Sequence, residues 1–198
     1  MGFQASERVV ALNAQLEAFM QEHIYPREHE WEAFTLDQNN RWQVPDWFDV
    51  LREKAKAEGL WNLFLPEEYG DWGPGLKNVE IARIFETMSK VNWAQPIFNC
   101  NAPDRGNMEV LAKYGTAEQQ EQWLKPLLAG DIRSAYAMTE PQVASSDATN
   151  MELSMTRDGD EYVLNGRKWW TTGAINPRCK LMLVMGKSNP ENDRHRQH

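Results

Sequence analysis

Two short runs of residues have the most chemistry to offer. In Tyr136-Ala137-Met138-Thr139-Glu140-Pro141 a β-prone stretch breaks at a proline and continues as Val143-Ala144-Ser145-Ser146-Asp147-Ala148-Thr149-Asn150. A strand end followed by small residues exposes backbone N–H groups and hydroxyls, donors suited to the edge of a flat heteroaromatic ring or to phosphate oxygens. The second run is Trp170-Thr171-Thr172, where a large apolar plane adjoins two hydroxyls and could cover such a ring while bonding its edge. Composition alone favours a plainer account of the same residues, a Ser/Thr-rich turn beside a core tryptophan.

Other chemistries find less support. His23 and His29 stand six apart at a helix end, His195 and His198 lie in the terminal stretch, and none neighbours a plausible acid–base partner. No spacing of the metalloprotease or zinc-finger kind occurs, so no metal is expected. A Gly-x-Ser-x-Gly elbow and a Walker loop are both missing, which removes the commonest sequence-readable hydrolases and nucleotide triphosphatases. Cys100 and Cys179 are far apart and suggest neither a disulfide framework nor a zinc site, as in a reducing, cytoplasmic setting. Lys and Arg number 21 against 29 Asp and Glu, a net charge of -8 that repels polyanions and argues against nucleic acid as a partner. Apolar runs are too short to cross a bilayer, so no membrane segment is expected.

The two runs must be held by the elements around them. Val9, Leu12, Leu16, Phe19 and Met20 recur at helical spacing and predict a helix from Ser6 to about Ile24. Gly2-Phe3-Gln4-Ala5-Ser6 also satisfies the bare myristoylation pattern, but Ser6 directly precedes the amphipathic run and reads more simply as its N-cap. Pro26 and the acidic, aromatic stretch to Asn40 are expected to interrupt the helix, and Pro45-Asp46 to open a second one that stops at Gly59. Turn residues crowd Leu65 to Gly75, which predicts a structural loop; its glycines follow no strand and make no dinucleotide fingerprint. A helix apolar nearly all round is expected over Leu76 to Val91, another from Asp104 to Tyr114, and a third opened by the Thr116/Gln119 capping box and closed by Gly130.

After Gly130 the pattern changes to short β-prone stretches at Ser134 to Met138, Leu153 to Arg157, Tyr162 to Asn165 and Leu181 to Met185, with hairpin signals at Asp158-Gly159 and Asn165-Gly166. The expected class is α+β: an all-α N-terminal domain over 1–130, then an incomplete antiparallel β domain over 131–198 that carries both runs. Four or five strands cannot close a barrel or bury a sheet on both sides, so the chain is read as a fragment.

The order Tyr136-x-Met138-Thr139-Glu140-Pro141, then Ser-Asp, then Tyr162-Val163-Leu164-Asn165-Gly166-x-Lys168-x-Trp170-x-Thr172 closely resembles the acyl-CoA dehydrogenase family. The Pro66-Glu67-Glu68-Tyr69-Gly70 loop and its flanking helices resemble that family's N-terminal domain, so the likeness covers nearly the whole chain. Ala102-Pro103-Asp104 with Gly106-Asn107-Met108-Glu109 is a branch-level likeness, to members fused to a phosphotransferase-like kinase domain, and lies outside the family-wide flavin motif.

The resemblance implies FAD as cofactor and α,β-dehydrogenation of an acyl-CoA thioester to a trans-2-enoyl-CoA. Tyr136, Met138 and Thr139 would then lie along the flavin ring, with Thr139 bonding its pyrimidine edge. Trp170 would pack against the ring, Thr171 would be among the cofactor-binding residues, and Thr172 would bond near N5. Ser145 or Ser146 would approach the pyrophosphate and the thioester; Ser146 is favoured because it precedes Asp147. The family pattern after the proline is Gly-x-Gly-Ser-Asp, whereas Gln142 to Asp147 is one residue longer and lacks glycine, which keeps Ser145 in contention. The family's carboxylate base belongs to a C-terminal helical domain, so no catalytic residue is nominated here, and Glu140 is read as structural. The likeness further implies electron-transfer flavoprotein as acceptor and a homo-oligomer at full length, with the chain alone inactive. Alternatives are a non-catalytic truncated binding or assembly module and a flavin oxidase or monooxygenase of the same fold.

Overall fold

Ser6 starts the first helix as its type predicts, its hydroxyl accepting the Val9 N–H at 3.4 Å. In the computed structural model, which describes residues 5–198, Gly2, Phe3 and Gln4 of the myristoylation pattern lie outside the described residues. Two units are separable, one running to Gly130 and the other from Asp131 to His198.

In the first unit α1 (Glu7–Phe19) buries Val9, Leu16 and Phe19. The chain continues through one widened π turn, Met20–Ile24, and a 3₁₀ turn, Tyr25–Arg27, into α2 (Glu28–Leu36). The regular helix is interrupted around Pro26 as expected, but the stretch beyond it, expected to stay irregular to Asn40, forms α2. Proline clashes with the carbonyl four residues back and offers no N–H; the π turn shifts the preceding bond to Tyr25 N–H on Met20 O and makes room for the ring. Pro126 is accommodated in the same way. A π turn at Gln120–Leu124 links α6 (Ala117–Gln119) to α7 (Lys125–Ala129), with the Lys125 N–H on Gln120 O.

Between these, α3 (Asp46–Ala57) buries Phe48, Leu51, Arg52 and Ala55, and α4 (Asn78–Met88) buries Ile81, Ile84, Thr87 and Met88. The second is one-sided, not apolar all round as expected, and Val79 is 52% exposed. Helix α1 packs on α4, where the Thr87 hydroxyl donates to Asn13 Oδ1 at 2.8 Å. Trp31 stacks on Trp93 with ring centres 5.1 Å apart. Residues Glu67–Trp72 form 3₁₀ turns broken at Gly70. Helix α5 (Asp104–Tyr114) follows, and Thr116 and Gln119 make the reciprocal capping bonds at 3.0 and 3.2 Å.

The end of α7 is capped from the side. Trp61 Nε1 and Asn62 Nδ2 donate to Leu128 O at 2.7 and 2.9 Å, Asn99 Nδ2 to Leu127 O at 2.9 Å, and Arg52 Nη2 to Gly130 O at 2.8 Å. These donors satisfy carbonyls that a helix end leaves without partners. Gly130, at φ +78°, turns the chain out of the helix.

The second unit holds β1 (Arg133–Ala137), β2 (Ser154–Asp158), β3 (Glu161–Asn165) and β4 (Cys179–Val184). Strands β2 and β3 form the expected antiparallel hairpin, paired from Ser154↔Asn165 to Asp158↔Glu161, so Gly159 and Asp160 make the turn. Pairing is otherwise mixed, because β1 and β4 run parallel with Ser134 opposite Leu181 and Ala137 opposite Val184. The α+β class stands. Met155 N–H donates to Lys187 O, and Lys187 N–H to Leu153 O, each at 2.8 Å, joining the hairpin to the stretch after β4. Asn165-Gly166 is not a hairpin turn. Gly166 instead passes close to Leu153, whose Cα would lie 2.8 Å from a Cβ placed there, so the glycine serves backbone approach.

Candidate functional site

Strand alternation sorts the first run. Ala135 and Ala137 are buried, while Tyr136 and Met138 point to the other side and are half-exposed. Burial raises the Tyr136 phenol above its ordinary value, keeping it neutral. The strand ends, and Glu140 turns inward.

Glu140 is the post of the site. Its carboxylate accepts the Glu152 N–H at 2.7 Å, the Leu153 N–H at 2.9 Å and Lys168 Nζ at 2.8 Å. Burial opposes its ionisation; the Lys168 hydrogen bond, the two N–H donors and the Lys168 charge outweigh that and hold the carboxyl below its ordinary value. Lys168 Nζ also donates to Met138 O at 2.8 Å, and the Trp169 N–H to Thr139 O at 3.1 Å. Two segments distant in sequence are thereby laid side by side, Met138 to Glu140 against Lys168 and Trp169.

Trp170 is 79% exposed, which overturns the core-tryptophan account of composition. Its backbone is left-handed at φ +52°, an uncommon state for a bulky residue and one that collects at functional positions. The Trp169 and Trp170 rings lie 5.5 Å apart. Thr139 and Thr172 are exposed, Thr171 is half-exposed, and the Thr171 carbonyl accepts the Ala174 N–H at 3.1 Å.

The adjacent serines differ. Ser145 is buried; its hydroxyl accepts the Glu140 N–H at 2.7 Å and donates to Val143 O at 3.3 Å. Ser146 is exposed. Asp147 caps the short turn Ala148–Asn150, accepting the Thr149 hydroxyl at 2.5 Å and the Thr149 N–H at 3.0 Å. Those two bonds, followed by the charge of Arg194, hold its carboxyl below the ordinary range.

Both carboxylates of the first run therefore sit among donors that favour their ionised form. What the site offers is a strand-end face with a half-exposed tyrosine and methionine, two exposed threonine hydroxyls and a bare indole plane. That set suits a flat ring with hydrogen-bonding edges. Among the described residues no group of three or more His, Cys, Asp or Glu could hold a metal ion, and no helix is long and apolar enough to cross a membrane. Lys168 was not among the expected site residues, and no local signal in the sequence ties it to Glu140.

Comparison with known proteins gives a consistent picture. The family model described as acyl-CoA dehydrogenase, N-terminal domain, matches residues 6–131, and that for the middle domain of the same family matches 135–198. Acyl-CoA dehydrogenase family member 10 of Mus musculus is 51% identical over 195 residues, covering 97% of this chain and 18% of the relative. Family member 11 of Homo sapiens is 52% identical over 184 residues, 91% of this chain and 23% of the relative. A solved Mycobacterium abscessus structure described as an acyl-CoA dehydrogenase superposes with a TM-score of 0.90 at 46% identity, over 98% of this chain and 49% of that one. The chain thus spans about a fifth of each of these two curated relatives and about half of the solved one.

Proposed function

The chain belongs to the acyl-CoA dehydrogenase family, and from that premise we propose that its second unit binds FAD across the end of β1 and takes part in α,β-dehydrogenation of an acyl-CoA thioester. Enzymes of this family use FAD, and when bound it supplies the acceptor for the β-hydride. The observation that carries the reading is the bonding of Met138–Glu140 to Lys168–Trp169, with Thr139, Trp170 and Thr172 exposed in or next to the joined segments.

In this reading each residue has a positioning task. Tyr136 and Met138 support one side of the ring, Thr139 meets its pyrimidine edge, Trp170 with Thr171 covers it, and Thr172 bonds near N5. Ser146 is the serine facing the pyrophosphate and the thioester, because Ser145 spends its hydroxyl on the Glu140 and Val143 backbone. The proton beside the thioester carbonyl needs a base that these segments do not supply, since Glu140 and Asp147 are committed to their donors. The chain alone is therefore expected to hold flavin without turning over acyl-CoA in a dye-coupled assay. Electron-transfer flavoprotein as acceptor and assembly into oligomers belong to the same proposal for the whole protein.

Substitution tests it. Trp170→Ala should weaken FAD binding at least tenfold, about the loss of one base–aromatic stacking contact. Tyr162→Ala, on the exposed hairpin strand, should leave it within twofold. Equal affinities for wild type and Trp170→Ala would refute the assignment.

A further inference from the structure

Ser146 lies between two anchored neighbours. On one side Ser145 is pinned to the Glu140 backbone. On the other, Asp147 is gripped by Arg194, whose Nη2 donates to Asp147 Oδ2 at 3.1 Å and to Asn150 Oδ1 at 3.3 Å while Nε donates to the Thr149 hydroxyl at 2.7 Å. One guanidinium therefore meets three side chains of the 147–150 turn. An isolated exposed ion pair contributes little, because two long side chains must be ordered for one contact. Here the turn is already ordered by its own bonds, Thr149 N–H to Asp147 Oδ1 at 3.0 Å and Asn150 N–H to Asp147 O at 3.0 Å. Only the arginine has to be fixed.

The arginine is held in turn by its own segment. Ser188 and Asn189 N–H both donate to Gln197 O, at 2.9 and 3.1 Å, and Gln197 Nε2 donates to Pro190 O and Asn192 O at 2.9 and 3.0 Å. These bonds close residues 188–197 into a compact loop that presents Arg194. Charge adds to geometry. Asp147 adjoins Ser146, and an unneutralised carboxylate there would repel a phosphate approaching the serine hydroxyl; the guanidinium offsets that charge.

We propose that Arg194 is a positioning residue, which clasps the 147–150 turn so that Ser146 is set, and the neighbouring charge offset, for the diphosphate of the bound cofactor. This rests on the flavin reading above and extends it to a residue in a loop with no other assigned role.

The test compares FAD with riboflavin, which has the same ring and no phosphate, on the wild-type chain and on Arg194→Gln. Arg194 is 62% exposed, so the substitution does not threaten the core. FAD affinity should fall about five- to tenfold and riboflavin affinity should stay within twofold. Unchanged FAD affinity, or equal losses for both ligands, would overturn the proposal. If the wild-type chain binds neither flavin, the flavin reading fails, and amide hydrogen exchange decides the clasp by itself. Faster exchange at Asp147 and Asn150 in Arg194→Gln supports it, and identical exchange overturns it.

Discussion

Replacing Lys168 with methionine keeps an unbranched side chain of similar length while removing the ammonium that donates to Glu140. The pair is buried, with side chains 10% and 3% exposed and 2.8 Å between Nζ and Oε1. Breaking such a pair by removing one partner costs on the order of 3–5 kcal/mol, since the remaining charge is left uncompensated. Glu140 retains the Glu152 and Leu153 N–H donors, which places the expected loss near the lower end, about 3 kcal/mol. Urea unfolding followed by circular dichroism, with exchange of the Glu152 and Leu153 amides, reads that difference. The pH dependence has a definite sign. Glu140 titrates below 4.5 in the folded chain, so its contribution is fully present above 4.5 and is lost as the pH falls through the folded value. The stability gap between wild type and Lys168→Met should therefore narrow as the pH drops below 4.5. A gap under about 1 kcal/mol at pH 7, or one that widens on acidification, would refute the role of Glu140 and Lys168 as the post and brace of the site.

Two further outcomes are expected in the first unit. Gly130 sits at φ +78°, and a Cβ there would lie 2.2 Å from Arg52 Nη2 and 2.8 Å from the Trp61 ring. Gly130→Ala should cost at least about 1–2 kcal/mol from the backbone alone, seen as a lower melting temperature; unchanged melting would contradict the side-chain cap of α7. Burial pushes the Cys100 thiol up to about 12, against small lowering effects from the Leu63 backbone and Arg105. A thiol reagent should label half-exposed Cys179 in the native chain and reach Cys100 only on unfolding, whereas equal labelling would contradict the packing around Cys100.

Local signals were legible where the physics is local. The Ser6 cap, the Thr116/Gln119 box, the Gly130 stop and the Gly159 turn each depend on residues a few positions apart, and each is where its residue types direct. Pro26 marks the 3₁₀ turn Tyr25–Arg27, but the acidic, aromatic composition beyond it hides the helix that resumes over Glu28–Leu36. Val79 misled because an apolar residue on an exposed helix face looks the same in sequence as one in the core. Pairings between distant residues were not readable from periodicity. Strand β1 takes β4 as a parallel partner, Lys168 reaches back 28 residues to Glu140, and Arg194 reaches back 47 to Asp147. The site was legible as a set of candidate hydroxyls and rings. The buried acid and lysine that align them were not, since nothing in the spacing of a Glu-Pro turn and a lysine beside two tryptophans says that they meet.

Amide hydrogen exchange on the chain with and without FAD tests the flavin face most directly. Saturable protection is expected at residues 136–140 and 168–173, with the Gly159–Asp160 turn of the hairpin unchanged. Protection confined to the helical unit, or no protection at saturating FAD, would contradict it.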